Sequence, residues 1–223
     1  MMATLAAEQR RQGVWRAGGK RCVDSVLASV GLIVLAPVFG VIALAVRVAL
    51  GKPIIFRHER PGLHGRLYKM YKFRTMTHDR AADGTLLQPH ERLTALGRFL
   101  RRTSLDELPQ LVNVVKGEMS LVGPRPLFPE YLPHYTPEQS RRHAVRPGIT
   151  GLAQLQGRNT LAWEERFALD VWYVDHVSPW LDLRILLLTL WKAATQAGIA
   201  QPGEGIERPF RDAVDQTRGE RSE

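Results

Sequence analysis

The chain has 223 residues, 44% of them hydrophobic, enough for one domain of ordinary size and too few for two large ones. Its 31 Lys and Arg against 22 Asp and Glu give a net charge of +9, which favours anionic partners without choosing among nucleic acid, an acidic membrane face and phosphorylated substrates. A single cysteine, Cys22, excludes an intrachain disulfide and a cysteine-based metal cluster, and beside an apolar run it reads as a small packing residue.

The first element is an uncharged stretch from Ser25 to Val46, long enough to cross a bilayer and too long for the apolar core of a cleaved signal. Pro37 lies near its middle, where it removes a backbone donor and kinks a helix. The flanks carry equal basic loads: Arg10, Arg11, Arg16, Lys20 and Arg21 before, Arg47, Lys52, Arg57, Arg60 and Arg66 after. That balance gives no orientation, so a kinked span and a helix that bends at Pro37 and returns to the same face both remain open.

After Gly51, alternating apolar and polar residues on either side of Pro-Gly and His-Gly predict a β-hairpin, with strands from Ile54 to Glu59 and Leu67 to Phe73. Thr77 to Glu91 is polar and turn-rich and reads as a loop. Leu93, Leu96 and Leu100 predict a helix over Arg92 to Leu100, and Leu108, Leu111, Val112 and Val115 a second from Leu105 to about Val115. From Leu121 to Gly151, six prolines (Pro124, Pro126, Pro129, Pro133, Pro137 and Pro147) forbid long regular elements and imply ordered chain laid over a surface. Trp163 to Val174 is a further helix. Leu181 to Ala197 is a strongly apolar one whose Asp182, Arg184 and Lys192 favour an amphipathic helix lying at an interface. From Gln201 the chain is polar and reads as loosely ordered.

The chemistry concentrates in Thr103-Ser104-Leu105-Asp106-Glu107-Leu108-Pro109-Gln110. One reading is a capping box, Ser104 with Glu107 three residues on, in which the acids merely start a helix. The other is a site: backbone N–H groups at the helix start keep Asp106 ionised as a nucleophile, and Glu107 offers hard oxygen to a divalent cation. A pyrophosphate handled there needs cations, and Arg98, Arg101 and Arg102 precede the acids. Arg125, between Pro124 and Pro126, has a stiff backbone suited to a fixed phosphate contact or to a plain surface position; Arg146-Pro147-Gly148 repeats the device.

Taken in order, KRCVD at Lys20 to Asp24, the Pro-broken apolar run, YKFRTM, SLDELPQL, GEMSLVGPRPL, RPGITGLAQ and GRN resemble the bacterial sugar transferase family, the monotopic phosphoglycosyl transferases, over roughly Lys20 to Ala197. The resemblance is to small members made of the catalytic domain alone. It implies an α+β, mostly α fold: a re-entrant membrane helix over 20–50 and a catalytic domain over 51–200 with a small β-hairpin and interface-lying helices; the extension over 1–19 and the polar tail over 201–223 lie outside the resemblance. It further implies a ping-pong reaction at the cytoplasmic face of the bacterial inner membrane. The aspartate of the dyad attacks the β-phosphate of a UDP-sugar, UMP leaves, and polyprenyl phosphate, typically undecaprenyl phosphate, takes the sugar phosphate, with Mg²⁺ required. Carried onto this chain, Asp106 is the nucleophile and a metal contact, Glu107 its metal-linked partner, Arg101, Arg125 and Arg146 the phosphate contacts, and Lys72 and Asp170 further site candidates. N-acetylated amino sugars are favoured by likeness to the small members, with glucose and galactose open, and a homodimer is in keeping with the family.

The chain departs from the family in having Ala36 where Ser commonly precedes the helix-breaking proline, and Leu152 after Gly151 where an aromatic is frequent. The missing hydroxyl implies a shallower or differently supported bend. Two rivals stand beside this reading. A non-catalytic, membrane-anchored basic protein binding anionic lipid or nucleic acid explains the charge and the apolar run; it leaves the Asp-Glu pair amid Arg-Pro motifs unexplained, and no aromatic-interleaved basic stripe points to nucleic acid. An aspartate-based phosphatase or ATPase lacks its Gly-rich phosphate loop here. His58, His64, His78 and His90 have no metal-site spacing.

Overall fold

The structure, a computed structural model, describes residues 15–157 and 161–195. Most of the N-terminal extension, the last two residues of GRN and the tail from Gln201 lie outside the described residues.

The apolar run folds as two helices, α1 (Lys20–Val34) and α2 (Ala36–Leu50), bent by 63° at Leu35. Pro37 stands in the first turn of α2, where its missing N–H interrupts the ladder while its fixed φ suits a helix start. The bend forms without the hydroxyl that Ala36 lacks. Among the described residues no single helix is long and apolar enough to cross a membrane. Val26, Val30, Ile33 and Val34 of α1 and Val41, Leu44 and Val48 of α2 are exposed, whereas Ala28, Ile42 and Val46 are buried in the protein. Cys22, expected as a packing residue, is instead exposed on α1.

β1 (Ile55–Pro61) and β2 (Leu67–Phe73) form the antiparallel hairpin, with Phe56 opposite Lys72 and His58 opposite Met70. The loop that follows is pinned by two isolated bridges, Met76 to Leu93 and Arg80 to Leu86. The predicted helix over Arg92 to Leu100 resolves into a single turn, α3 (Pro89–Arg92), and α4 (Ala95–Arg102). Thr94 caps α4, its hydroxyl accepting from the Gly97 N–H at 3.0 Å. Gly97 itself has no room for a side chain: a Cβ would sit 2.0 Å from the Thr75 carbonyl oxygen.

The single helix predicted from Leu105 to Val115 is two pieces, a 3₁₀ turn over Leu105–Glu107 and α5 (Gln110–Lys116). Pro109 cannot donate to the Leu105 carbonyl, so that oxygen takes the Leu108 N–H at 3.4 Å in a 3₁₀ bond. The capping box is likewise absent. Ser104 is left-handed, at φ 57°, and its side chain caps nothing.

Within the proline-rich stretch, two short strands that sequence patterning missed, β3 (Ser120–Val122) and β4 (Gly148–Thr150), pair in parallel. The backbones touch here: a Cβ on Gly148 would lie 2.1 Å from the Gly123 nitrogen, and the Gly148 N–H bonds the Pro124 carbonyl at 3.0 Å. The Gly-Pro-Arg-Pro and Arg-Pro-Gly motifs are thus two sides of one junction. After α6 (Pro137–Ser140) come α7 (Leu152–Gln156), α8 (Trp163–His176) and α9 (Pro179–Thr195); the predicted end of the last helix at Ala197 lies outside the described residues.

Packing ties the bent helix pair to the hairpin. Ala28 of α1 is buried with Tyr68 and Met70 of β2 and Val114 of α5; Ile42 and Val46 of α2 pack on Phe73 and Leu100. Each of the larger aliphatic and Phe side chains among these contributes roughly 1.5–3 kcal/mol of apolar burial. The Lys20 to Asp24 motif is a polar latch. Asp24 accepts from the Ser120 hydroxyl (2.7 Å) and the Leu121 N–H (3.2 Å). Asp182, buried at the start of α9, accepts from Lys20 (2.7 Å), Tyr173 (2.6 Å) and Trp15 (3.0 Å). Arg21 closes α5 by donating to the Val114 and Val115 carbonyls. The mostly helical architecture with small sheets is the expected α+β class.

Candidate active site

The hairpin, the 3₁₀ turn, the β3–β4 junction and α8 surround a cavity of about 540 Å³. Asp106, Glu107, Lys72, Arg101, Arg125 and Asp170 all line it. Arg146 does not. Its guanidinium Nε donates to the Gly117 carbonyl at 2.8 Å, closing the end of α5.

The dyad is asymmetric. Glu107 Oε1 accepts from Lys72 Nζ at 2.7 Å and from Arg125 Nη2 at 3.0 Å. Burial alone would raise its pKa, but Arg125 and Lys72 overcome that and hold the carboxyl well below its usual range. Asp106 is 7% exposed. Burial, followed by the Glu107 charge, pushes its pKa up to about 6 against the opposing pull of Lys72, Arg101 and Arg125. The expectation that helix-start N–H groups keep Asp106 ionised is corrected: the 3₁₀ turn gives it no backbone cap, and Lys72, Arg101 and Arg125 only partly offset burial and the Glu107 charge. Two adjacent carboxyls whose environments drive them apart are the pattern of assigned acid-base roles.

Local structure sets each cation. Lys72 projects from β2, and burial lowers its pKa although Glu107 opposes the shift. Arg101, from the last turn of α4, donates from Nε to the Thr75 hydroxyl at 3.1 Å, and burial lowers its pKa against Asp106 and Glu107. Arg125 is held through its backbone. Its carbonyl accepts from Arg142 Nη2 at 2.8 Å, and Arg142 in turn donates to Asp170 Oδ2 from Nε (3.1 Å) and Nη2 (2.6 Å).

Sequence reasoning missed His58, Arg60 and Arg166, which also line the cavity. For the first two the signal was in the strand: Phe56, His58 and Arg60 alternate along one face of β1, on the side from which Lys72 reaches the dyad. Burial, with Arg60, Lys72 and Arg125 nearby, lowers the His58 pKa to about 4, so its ring is neutral near pH 7.

Among the described residues no group of three or more His, Cys, Asp or Glu could hold a metal ion. The donor set nevertheless fits Mg²⁺, which keeps several waters and takes one or two carboxylates together with substrate phosphate. Glu107 spends only Oε1 on its cations, and Asp106 is a buried carboxyl short of positive charge.

The model of the bacterial sugar transferase family matches residues 15–196. The chain belongs to the bacterial sugar transferase family. It is 52% identical over 197 residues to the sugar transferase EpsL of Bacillus subtilis, covering 88% of this chain and 97% of that protein. It is 42% identical over 184 residues to the UDP-glucose:undecaprenyl-phosphate glucose-1-phosphate transferase of Escherichia coli (78% of this chain, 39% of that one). Over 188 residues it is 40% identical to the undecaprenyl-phosphate galactose phosphotransferase of Salmonella typhimurium (76% and 39%). The chain thus spans about two fifths of the length of these two sugar transferases.

Proposed function

We propose that this sugar transferase moves a hexose 1-phosphate from UDP-glucose or UDP-galactose to undecaprenyl phosphate through a covalent intermediate on Asp106. The relatives named for glucose and galactose transfer support these donors over the N-acetylated sugars that likeness to the small members favoured. One observation carries the mechanism: the buried Asp106, its carboxyl taking no hydrogen bond among the described residues, beside a Glu107 clamped by Lys72 and Arg125.

In the first half-reaction an Asp106 carboxylate oxygen bonds the β-phosphorus. The bond from that phosphorus to the bridging oxygen breaks, and UMP leaves with the bridging oxygen and the electron pair. In the second, a phosphate oxygen of undecaprenyl phosphate bonds the same phosphorus and the Asp106–phosphorus bond breaks, restoring the carboxylate; no net proton is consumed. Lys72, Arg101 and Arg125 neutralise phosphoryl oxygens, while Lys72 and Arg125 together fix the Glu107 carboxylate. Asp106 and Glu107 would hold Mg²⁺, which when bound screens the charge of the diphosphate.

The exposed apolar residues of α1 and α2, with the 63° bend, support a helix that enters and leaves the cytoplasmic face of the inner membrane. The exposed Trp180, Leu187, Leu190 and Trp191 of α9 support a second contact at the lipid interface. The membrane-borne acceptor presents its phosphate at that level, within reach of an enzyme seated there. The reading is tested by UMP release from purified protein in nanodiscs with Mg²⁺, undecaprenyl phosphate and UDP-glucose, UDP-galactose, UDP-GlcNAc or UDP-GalNAc. Release with a hexose donor supports it; no release with any donor contradicts it.

A further inference from the structure

The cavity has a second wall that the phosphoryl chemistry leaves unused. Ala153 and Gln154 of α7 and Arg166 and Asp170 of α8 form it, with the Arg166 charge acting on Asp170. Asp170 is 2% exposed, and its Oδ2 is taken by two nitrogens of the equally buried Arg142. Oδ1 accepts no hydrogen bond among the described residues. Arg142 also donates to the Tyr135 hydroxyl at 3.3 Å, so the orientation of the carboxylate is locked before any ligand arrives. Gln154 donates from Nε2 to the Ile149 carbonyl at 3.3 Å; its Oε1 is enclosed with no donor among the described residues. The wall adjoins the phosphate pole, since Arg142 joins Asp170 to the backbone of Arg125, whose guanidinium reaches Glu107.

We propose that Asp170 and Gln154 bind the ring hydroxyls of the donor hexose, with Arg142 positioning the Asp170 carboxylate. The proposal rests on the donor reading above and names the residues that recognise the sugar. A hexose ring presents O–H donors, and a buried carboxylate oxygen and a buried amide oxygen that accept no hydrogen bond among the described residues are the acceptors that such hydroxyls satisfy. A uracil ring presents two carbonyl acceptors to one N–H, which a carboxylate disfavours, and the exposed Phe56 ring on the hairpin side offers it a flat apolar face instead. The wall thus offers acceptors to ring hydroxyls, and small Ala153 leaves the ring room.

The test is calorimetric binding of UDP, UDP-glucose and UDP-galactose to the full chain in nanodiscs, in an Asp106→Asn background so that donor is not consumed. The parent is expected to bind one UDP-hexose more tightly than UDP. Asp170→Asn and, separately, Gln154→Ala should weaken that hexose complex roughly 10- to 100-fold for Asp170 and less for Gln154, with UDP affinity unchanged. Gln154→Ala leaves the buried Asp170–Arg142 pair intact, so it answers the question even if Asp170→Asn disturbs folding. Unchanged UDP-hexose affinity in Gln154→Ala and a folded Asp170→Asn, or equal losses for UDP and UDP-hexose, would overturn the assignment. A parent that binds neither UDP nor a UDP-hexose overturns the donor reading itself, and the sugar wall with it.

Discussion

Asn in place of Asp106 should abolish turnover and, at the same time, make the protein harder to melt. The Asp106 carboxyl is raised from 3.8 to about 6 by burial and by Glu107, so the fold holds its charged form at a cost. A rise of that size corresponds to roughly 3 kcal/mol, an upper bound for the gain from an uncharged, nearly isosteric side chain. The sign follows from the raised value. The cost is complete above about pH 6, shrinks as the folded carboxyl protonates, and disappears below the unfolded value of 3.8. For a chain of this size the gain amounts to a rise in Tm of up to about 10 °C at pH 8, fading towards pH 4. The assay is a thermal melt of both proteins in the same detergent with EDTA present, because a bound divalent cation would itself relieve the cost. A Tm for the variant equal to or below that of the parent at pH 8 would refute the claim that Asp106 is an under-compensated buried charge.

The logarithm of kcat/KM for the donor should rise with pH up to about pH 6 and level off above it as Asp106 ionises; a pH-rate series checks this, and a flat profile from pH 5 to 8 contradicts it. Lys72→Met leaves Glu107 with one cation in a buried setting, and kcat/KM should fall about 100-fold or more with the fold retained by circular dichroism. With Cys22 replaced by Ser, single cysteines placed at Gly18 and Lys52 should react with an impermeant thiol reagent from one side of a sealed vesicle. Reaction from opposite sides would establish a crossing helix instead.

Which parts of this were readable in the sequence follows from the range of the forces involved. The hairpin was legible because alternation and a Pro-Gly, His-Gly turn are local signals, and Leu67 to Phe73 matches β2 in full. Pro37 marked the break in the apolar run for the same reason. The Asp106–Glu107 pair was visible as a motif, but its ionisation was misjudged. That depends on burial and on Lys72, 34 positions away from Asp106, and not on the helix start. The β3–β4 pairing was invisible because strands of three residues have no period; long-range backbone hydrogen bonds and the close approach of Gly123 and Gly148 define them. Tertiary contacts place the arginines: Arg101 and Arg125 line the cavity, as their motifs suggested. The Arg-Pro pattern pointed to Arg146, which closes a helix, while Arg142, without any motif, holds both Asp170 and the backbone of Arg125.

The central claim is the covalent step, and intact-protein mass spectrometry tests it most directly. Purified protein mixed with Mg²⁺ and its UDP-hexose, with undecaprenyl phosphate withheld, should gain the mass of one hexose phosphate on Asp106 and lose it when the acceptor is added. A protein that releases UMP only when the acceptor is present, and never carries that mass, would contradict the account.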